Sequence, residues 1–359
     1  MHHGSISRER SGLMTSGTIV ESIRVGKARI AVRLALCPDY YSDVWLMPSV
    51  GEYPIYDASL YEVMADDAVR NDAYSVAIRR VVGGRRVLEV GTGDQALWAR
   101  LAAECGASSV EAVEELDDAY ASAERCVHDL GHGARIRLTR GSSFSLELPQ
   151  RVDVCISEII GTIASSEGAL AVHRDAWARH LRLGATVIPS QCETCVAGVT
   201  LPDGLHAEPA LHPAGAAYVE KIFALMGTPF DLRLCAANLR HGDLLTSHGV
   251  VEVCDFRAPA DDAEGTEIEL CVLRAGRLDG FVLWIRLAVE CGGDVIDSFR
   301  QNTSWLPLLV PCCWPGREVE PGSTVAVRWK RLAGADRVHP DYAITAILDG
   351  APVGAADLT

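Results

Sequence analysis

The sequence predicts an α/β domain built on a doubly wound parallel sheet, followed by a mainly β domain, a barrel or a sandwich. Three observations carry that reading. Between residues 85 and 190, short apolar runs alternate with stretches of helical spacing, the pattern of strands and helices in a doubly wound sheet. After Pro189 the helical periodicity fades, and strand-like runs follow one another between turn residues. At the head of the α/β stretch, Arg86-Val87-Leu88-Glu89-Val90-Gly91-Thr92-Gly93 reads as a buried strand breaking into a tight glycine turn. The domain boundaries that follow are 1–50 for an N-terminal extension, 51–190 for the α/β domain and 191–359 for the β domain.

Taken in order, residues 1–16 read as disordered, and Thr18 to Leu36 alternates around Gly26-Lys27 as a hairpin does. Pro38 to Pro54 is irregular and rich in Tyr and Trp, a flap. The apolar spacing from Tyr61 to Ile78 is helical. Strands and helices then alternate at 86–90, 95–105, 109–114, 117–130, 135–139, 152–157, 168–181 and 185–188. In the second half, strands are expected over Cys192–Val199, Gly249–Phe256, Thr266–Leu273, Gly280–Val289, Trp305–Val310 and Thr324–Trp329, with a helical insert at Tyr218–Leu225.

A chain of 359 residues with 48% hydrophobic and 23% charged residues is globular and buries a sizeable core. The net charge of −15 argues against nucleic acid or an anionic membrane as main partner and is compatible with a cationic substrate. No apolar run reaches membrane-spanning length and no apolar segment follows Met1 as in a secretory signal, so a cytoplasmic protein is expected. Of the twelve cysteines, only Cys192/Cys195 and Cys312/Cys313 are close pairs. Neither has the second pair a zinc site requires, so reduced thiols and no metal are expected.

Two places carry chemistry. Gly91 and Gly93 let a ligand approach the backbone where side chains would block it, and the following helix points its N-terminal N–H groups into the same crevice. Glu114 ends the next strand, the position from which a carboxylate grips ribose hydroxyls. Gly91-x-Gly93-x-x-Ala96 also satisfies a loose dinucleotide pattern, but Glu89 would repel a pyrophosphate and suits a cationic ligand. The second place follows the fourth strand of the sheet. Glu158 and Glu167, separated by a loop containing Gly161, can converge on one planar cation, and guanidinium matches paired carboxylates bidentately.

Leu88-Glu-Val-Gly-Thr-Gly93 resembles motif I of the S-adenosylmethionine (SAM) methyltransferases, and Ser157-Glu158 with Glu167 resembles the double-glutamate loop of the protein arginine methyltransferase family. Met64 and Arg70 match that family's cofactor-covering helix. Leu181-Arg-Leu-Gly-Ala-Thr-Val-Ile-Pro189 matches the joint into its β-barrel, and Thr303-Ser304-Trp305 stands where the family has Thr-His-Trp. The likeness spans roughly residues 50–330 and is nearest to the monomethylating branch. It implies a Rossmann-like SAM-binding domain, a β-barrel substrate and dimerisation domain, and a homodimer. It further implies that Met64, Arg70, Glu89, Gly91, Gly93, Glu114 and Ser143 hold SAM, that Glu158 and Glu167 clamp the guanidinium, and that Trp305 walls its channel. Gln95 departs from the family's third glycine, and only Tyr53, Tyr56 and Tyr61 are candidates for its paired aromatics. Ser304 cannot titrate or hydrogen-bond as the family's histidine does.

The function expected is methyl transfer to a guanidino nitrogen of arginine, either peptidyl or free. Free L-arginine is favoured by the Tyr/Trp flap, by Ser304 and by the chain's ending soon after Asp341-Tyr-Ala-Ile-Thr345. The Ala-, Arg- and Gly-rich composition suits a bacterial natural-product pathway such as antibiotic biosynthesis. An NAD-dependent oxidoreductase, on the glycine pattern alone, and a catalytically silent binding protein are the competing readings.

Overall fold

The computed structural model describes residues 19–25, 28–34, 44–49, 58–226, 232–259 and 265–358. The expectations for residues 1–16 and for most of the Pro38–Pro54 flap lie outside these, as do Tyr53 and Tyr56.

Five parallel strands form the α/β sheet, in the spatial order Ile136–Arg140, Ser109–Glu114, Arg86–Val90, Val152–Ser157, Leu181–Ile188. The first strand in sequence is therefore central, and the chain reverses its direction of travel across the sheet beside it. That reversal opens a crevice at the strands' C-terminal ends. Val87, Leu88 and Val90 are buried on both faces, which is why this strand reads as a continuous apolar run. Helices Ala68–Val81, Leu97–Glu104, Asp117–Asp129 and Ala169–Arg179 cover the sheet, and their buried residues form one cluster with it.

The helix expected over Tyr61–Ile78 is two helices, Ala58–Ala65 and Ala68–Val81. The break falls at Asp66-Asp67. Asp67 leaves helical geometry to cap the second helix, its carboxylate accepting from Arg70 N at 2.9 Å. The last strand of the sheet begins at Leu181, four residues before the expected 185.

The β half holds a ten-stranded sheet and a four-stranded sheet that share a core of Phe281, Leu283, Val325, Val327, Trp329, Tyr342 and Ile344. A bridge between Thr246 and Val272 links them. The hairpin expected near the N-terminus is present, with Ile19–Val25 antiparallel to Ala28–Leu34, and it extends the larger sheet together with Trp45–Pro48. The helical insert is Pro213–Met226, packed on Trp45–Pro48 so closely that a Cβ on Gly215 would lie 3.0 Å from Pro48. A closing hairpin, Asp341–Leu348 with Ala351–Leu358, was not expected. Ala351-Pro-Val-Gly-Ala-Ala356 carries little of the β-branched and aromatic composition that marks strands.

Cys192 and Cys195 are both on strand Gln191–Val199, three residues apart, so their sulfurs enter different hydrophobic clusters. All cysteines among the described residues are free, and no group of three or more metal-ligating side chains occurs there. No helix among the described residues is long and apolar enough to cross a membrane.

Candidate active site

Parallel register places the two chemical stretches side by side. Val90 pairs with Val113 on one side and with Ser157 on the other, so Gly91, Glu114 and Glu158 all leave the sheet at its C-terminal edge. A cavity of about 820 Å³ opens there. Met64, Arg70, Gly91, Gly93, Glu114, Ser143, Glu158, Glu167 and Trp305 all line it, so of the residues expected to hold cofactor or substrate all but one meet at one site.

The exception is Glu89. Its carboxylate is fully buried beneath the glycine turn, away from the cavity wall. Burial pushes its pKa up to about 8, partly offset by the Thr92 hydroxyl and the Ala99 and Trp98 backbone at the next helix's first turn. It underlies the turn and contributes no contact to the cavity surface.

Gly91 and Gly93 have φ of +74° and +68°, the left-handed region that glycine enters without strain. Space makes the same demand, since a Cβ on Gly91 would come within 2.8 Å of Ile159. Glu114 is held rigidly, one carboxylate oxygen accepting from Gly93 N at 2.8 Å and the other from Leu116 N at 2.9 Å. Tyr61, the one candidate tyrosine among the described residues, is on the wall, with its ring beside Gly93. Burial raises its hydroxyl pKa, and the nearby charges of Glu114 and Asp94 raise it further.

Arg70 lies at the centre of the cavity's charges. It is 4% exposed, and its guanidinium donates to Glu158 Oε2 at 2.6 Å, to the Met64 carbonyl at 2.5 Å and to Asn71 Oδ1 at 3.2 Å. Burial pushes the Glu158 carboxyl up while the Arg70 charge pulls it back down. A residue expected to hold the cofactor and a residue expected to hold the substrate's guanidinium are therefore paired with each other in this structure.

The loop from Glu158 to Glu167 is fastened from several directions. Trp305 Nε1 donates to the Ile160 carbonyl at 2.6 Å, so this tryptophan both walls the cavity and braces the loop. Ser165 donates to the buried Glu252 at 2.6 Å and shares a 2.8 Å hydrogen bond with Tyr342. Glu252 also accepts from Thr194 at 3.0 Å and pairs with Arg331 at 3.4 Å. Gly168, with φ of +79°, admits the turn at residues 333–340, because a Cβ there would lie 2.6 Å from Val338. Behind Glu158, Ser157 Oγ and His173 Nε2 are 2.8 Å apart, and Tyr74 donates to the Ser157 carbonyl at 3.3 Å.

Ser304 does more than its sequence position promised. Its N–H and hydroxyl both donate to Asp67 Oδ2, at 2.6 and 2.9 Å. It cannot titrate as a histidine does, yet it ties the barrel half to the helix that carries Arg70. Asp67, Glu252, Arg233 and Asp341 were not found by sequence reasoning. The latter two line the cavity from the β half, and no local motif surrounds any of the four.

Comparison with known proteins agrees with this geometry. No protein-family model matches the chain. It is 31% identical over 172 residues to protein arginine N-methyltransferase 7 of Drosophila erecta, covering 42% of this chain and 25% of that protein. It is 30% identical over 262 residues to the Drosophila sechellia protein of the same name, 66% of this chain and 37% of that one. The chain thus spans well under half the length of the curated relatives it matches. Among solved structures, Arabidopsis thaliana protein arginine methyltransferase 10, in a uniquely open conformation, superposes with a TM-score of 0.67 at 19% identity, covering 84% of this chain and 97% of that one. The Trypanosoma brucei protein arginine methyltransferase 1 enzyme–prozyme heterotetrameric complex with S-adenosylhomocysteine gives a TM-score of 0.67 at 18% identity over the same shares. The chain is thus similar in sequence to protein arginine N-methyltransferases over part of their length, and it shares the fold of the solved ones.

Proposed function

We propose that this protein is a SAM-dependent N-methyltransferase that transfers a methyl group to a guanidino nitrogen of free L-arginine. The observation that carries the reading is a single cavity with a backbone-tethered Glu114 at one end and the Glu158/Glu167 pair at the other. The residues present fit the cofactor. Two left-handed glycines form a surface that a Cβ would obstruct, Glu114 has its carboxylate set to accept from a diol, and Arg70 offers a buried cation for a carboxylate. When bound, SAM supplies an electrophilic methyl on a sulfonium.

The chain's own residues do the rest. Glu158 and Glu167 hold the guanidinium in line with the methyl, and proximity and alignment supply much of the acceleration. Their fixed charges draw positive charge away from the attacking nitrogen, which a guanidinium in water disperses. Trp305 excludes water from the channel. Glu167 accepts the departing proton. Free arginine is supported by the Ala-, Arg- and Gly-rich composition expected of a bacterial natural-product enzyme and by charged groups from the β half on the cavity wall. A homodimer through helix Pro213–Met226 is part of the same proposal. Its check is light scattering, where a fully active monomer at micromolar concentration would rule it out.

The test is calorimetric titration with SAM and with NAD, followed by mass spectrometry of products from L-arginine and from arginine-rich peptides. SAM binding with a mass gain of one methyl on L-arginine is expected. Preferred NAD binding would restore the oxidoreductase reading, and preferred turnover of the peptide would make peptidyl arginine the substrate.

A further inference from the structure

Resting on the free-arginine reading above, we propose that Arg233 and Asp341 form the amino-acid end of the substrate site, Arg233 receiving the α-carboxylate and Asp341 the α-ammonium. Both line the cavity that holds Glu158 and Glu167, and both come from the β half. Arg233 immediately precedes strand Leu234–Ala237, and Asp341 opens strand Asp341–Leu348. Neither belongs to the segments that form the glycine turn or the double-glutamate loop.

The arginine is positioned. Its guanidinium sits 5.8 Å from the ring centre of Tyr342, the residue next to Asp341, and one nitrogen donates to the Leu358 carbonyl at 3.4 Å. Asp341 feels it directly, since burial raises the Asp341 carboxyl and the Arg233 charge lowers it. The turn before Asp341 is rigid as well, with Asp336 Oδ2 2.6 Å from His339 Nδ1 and Val338 packed against Gly168, the neighbour of Glu167. The opposite charges of Arg233 and Asp341 are thus carried on the same wall as the guanidinium clamp.

That juxtaposition selects a substrate class. Peptidyl arginine brings neutral amides at its α-carbon and has no charges there for a cation and an anion on this wall to pair with. A free α-amino acid brings a carboxylate and an ammonium, and burying either without a partner is costly. Forked N–H donors suit a carboxylate, and a carboxylate suits an ammonium. The pair therefore reads the zwitterion while the two glutamates read the other end.

The experiment compares kcat/KM for L-arginine, agmatine, which lacks the carboxylate, and 5-guanidinopentanoate, which lacks the ammonium, in wild type, Arg233→Met and Asp341→Asn. SAM affinity by calorimetry monitors folding. Arg233→Met is expected to lower kcat/KM for L-arginine roughly a hundred-fold and for agmatine less than about three-fold, collapsing their ratio. Asp341→Asn should collapse the L-arginine to 5-guanidinopentanoate ratio in the same way. If wild type prefers L-arginine but both variants keep both ratios, this assignment is wrong while the free-arginine reading stands. If wild type prefers an arginine-rich peptide to L-arginine, the reading itself fails and the assignment with it. Should Arg233→Met not fold, Arg233→Lys, which keeps the charge and loses the fork, must still lower the L-arginine to agmatine ratio several-fold, and an unchanged ratio overturns the proposal.

Discussion

The two ends of the cavity are built in opposite ways. At the glycine turn, the wall is built around backbone and the Glu114 carboxylate, which two N–H groups within residues 91–116 hold. At the double-glutamate loop, the wall is side chains from both halves of the molecule, joined by contacts such as Ser165 to Glu252, Ser304 to Asp67 and Trp305 to Ile160. The first end is complete once the α/β sheet has formed. The second exists only when the barrel is seated, so substrate binding should be far more sensitive to distant changes than cofactor binding.

The strongest way to break this contrast is at Glu252. Removing it with Glu252→Ala leaves Arg331, Ser165 and Thr194 without their shared acceptor in a buried site, an expected loss of about 3–5 kcal/mol in unfolding free energy. Denaturant titration measures it. SAM affinity of the folded fraction should stay near wild type while turnover falls, and equal losses of both would erase the distinction between the ends.

Next come the clamp residues. Glu158→Gln and Glu167→Gln keep shape but lose charge, and each should cost at least about 2.7 kcal/mol, a hundred-fold in kcat/KM, with SAM affinity nearly intact. A variant keeping more than a tenth of wild-type kcat/KM is no guanidinium clamp. The Glu158 variant additionally deprives Arg70 of its ion pair, so any shift in SAM affinity should appear there and not in the Glu167 variant.

At the other end, Glu114→Ala should weaken SAM by about 1.5–3 kcal/mol, roughly ten- to a hundred-fold, without changing the substrate ratio of kcat/KM values. Unchanged SAM affinity in folded protein would sink the ribose assignment.

A further test is a pH slope. Glu89 titrates near 8 when folded and near the ordinary carboxylate value when unfolded, so its contribution favours folding below about 4.5 and is lost as pH rises towards 8. His173 runs the other way: burial lowers it from 6.5 to about 3, so its contribution is present above about 6.5 and is lost as pH falls towards 3. Each slope is about 1.4 kcal/mol per pH unit, and the two oppose one another between about 4.5 and 6.5. Glu89→Gln should therefore gain stability over wild type progressively from pH 5 to pH 8, read as a rising difference in Tm. A constant difference would show that Glu89 is not titrating as its burial requires.

How much was legible follows from the same contrast. The strand, glycine turn and Glu114 lie close together in sequence and obey short-range rules, so residues 86–114 could be read directly. Glu158 and Glu167 were legible as a spaced pair, though the pairing of Glu158 with Arg70 across 88 positions was not. Asp67 looked like any helix residue until its capping of Arg70 and its bonds to Ser304, 237 positions away, were seen. Arg233 and Asp341 sit among strand residues whose facing depends on register, and register depends on the whole barrel. Glu89 misled for the converse reason: its place in the motif is correct, but the strand turns its side chain into the core.

Gly168 makes the seating of the barrel a matter of one hydrogen atom. Where it meets Val338 there is no room for a methyl group, so the backbone beside Glu167 is in contact with the substrate-side turn. A change of residue in that turn is thereby transmitted to the spacing of the two glutamates without touching residues 86–114. Substrate range can drift, or be engineered, from the barrel side while the nucleotide side is inherited unchanged.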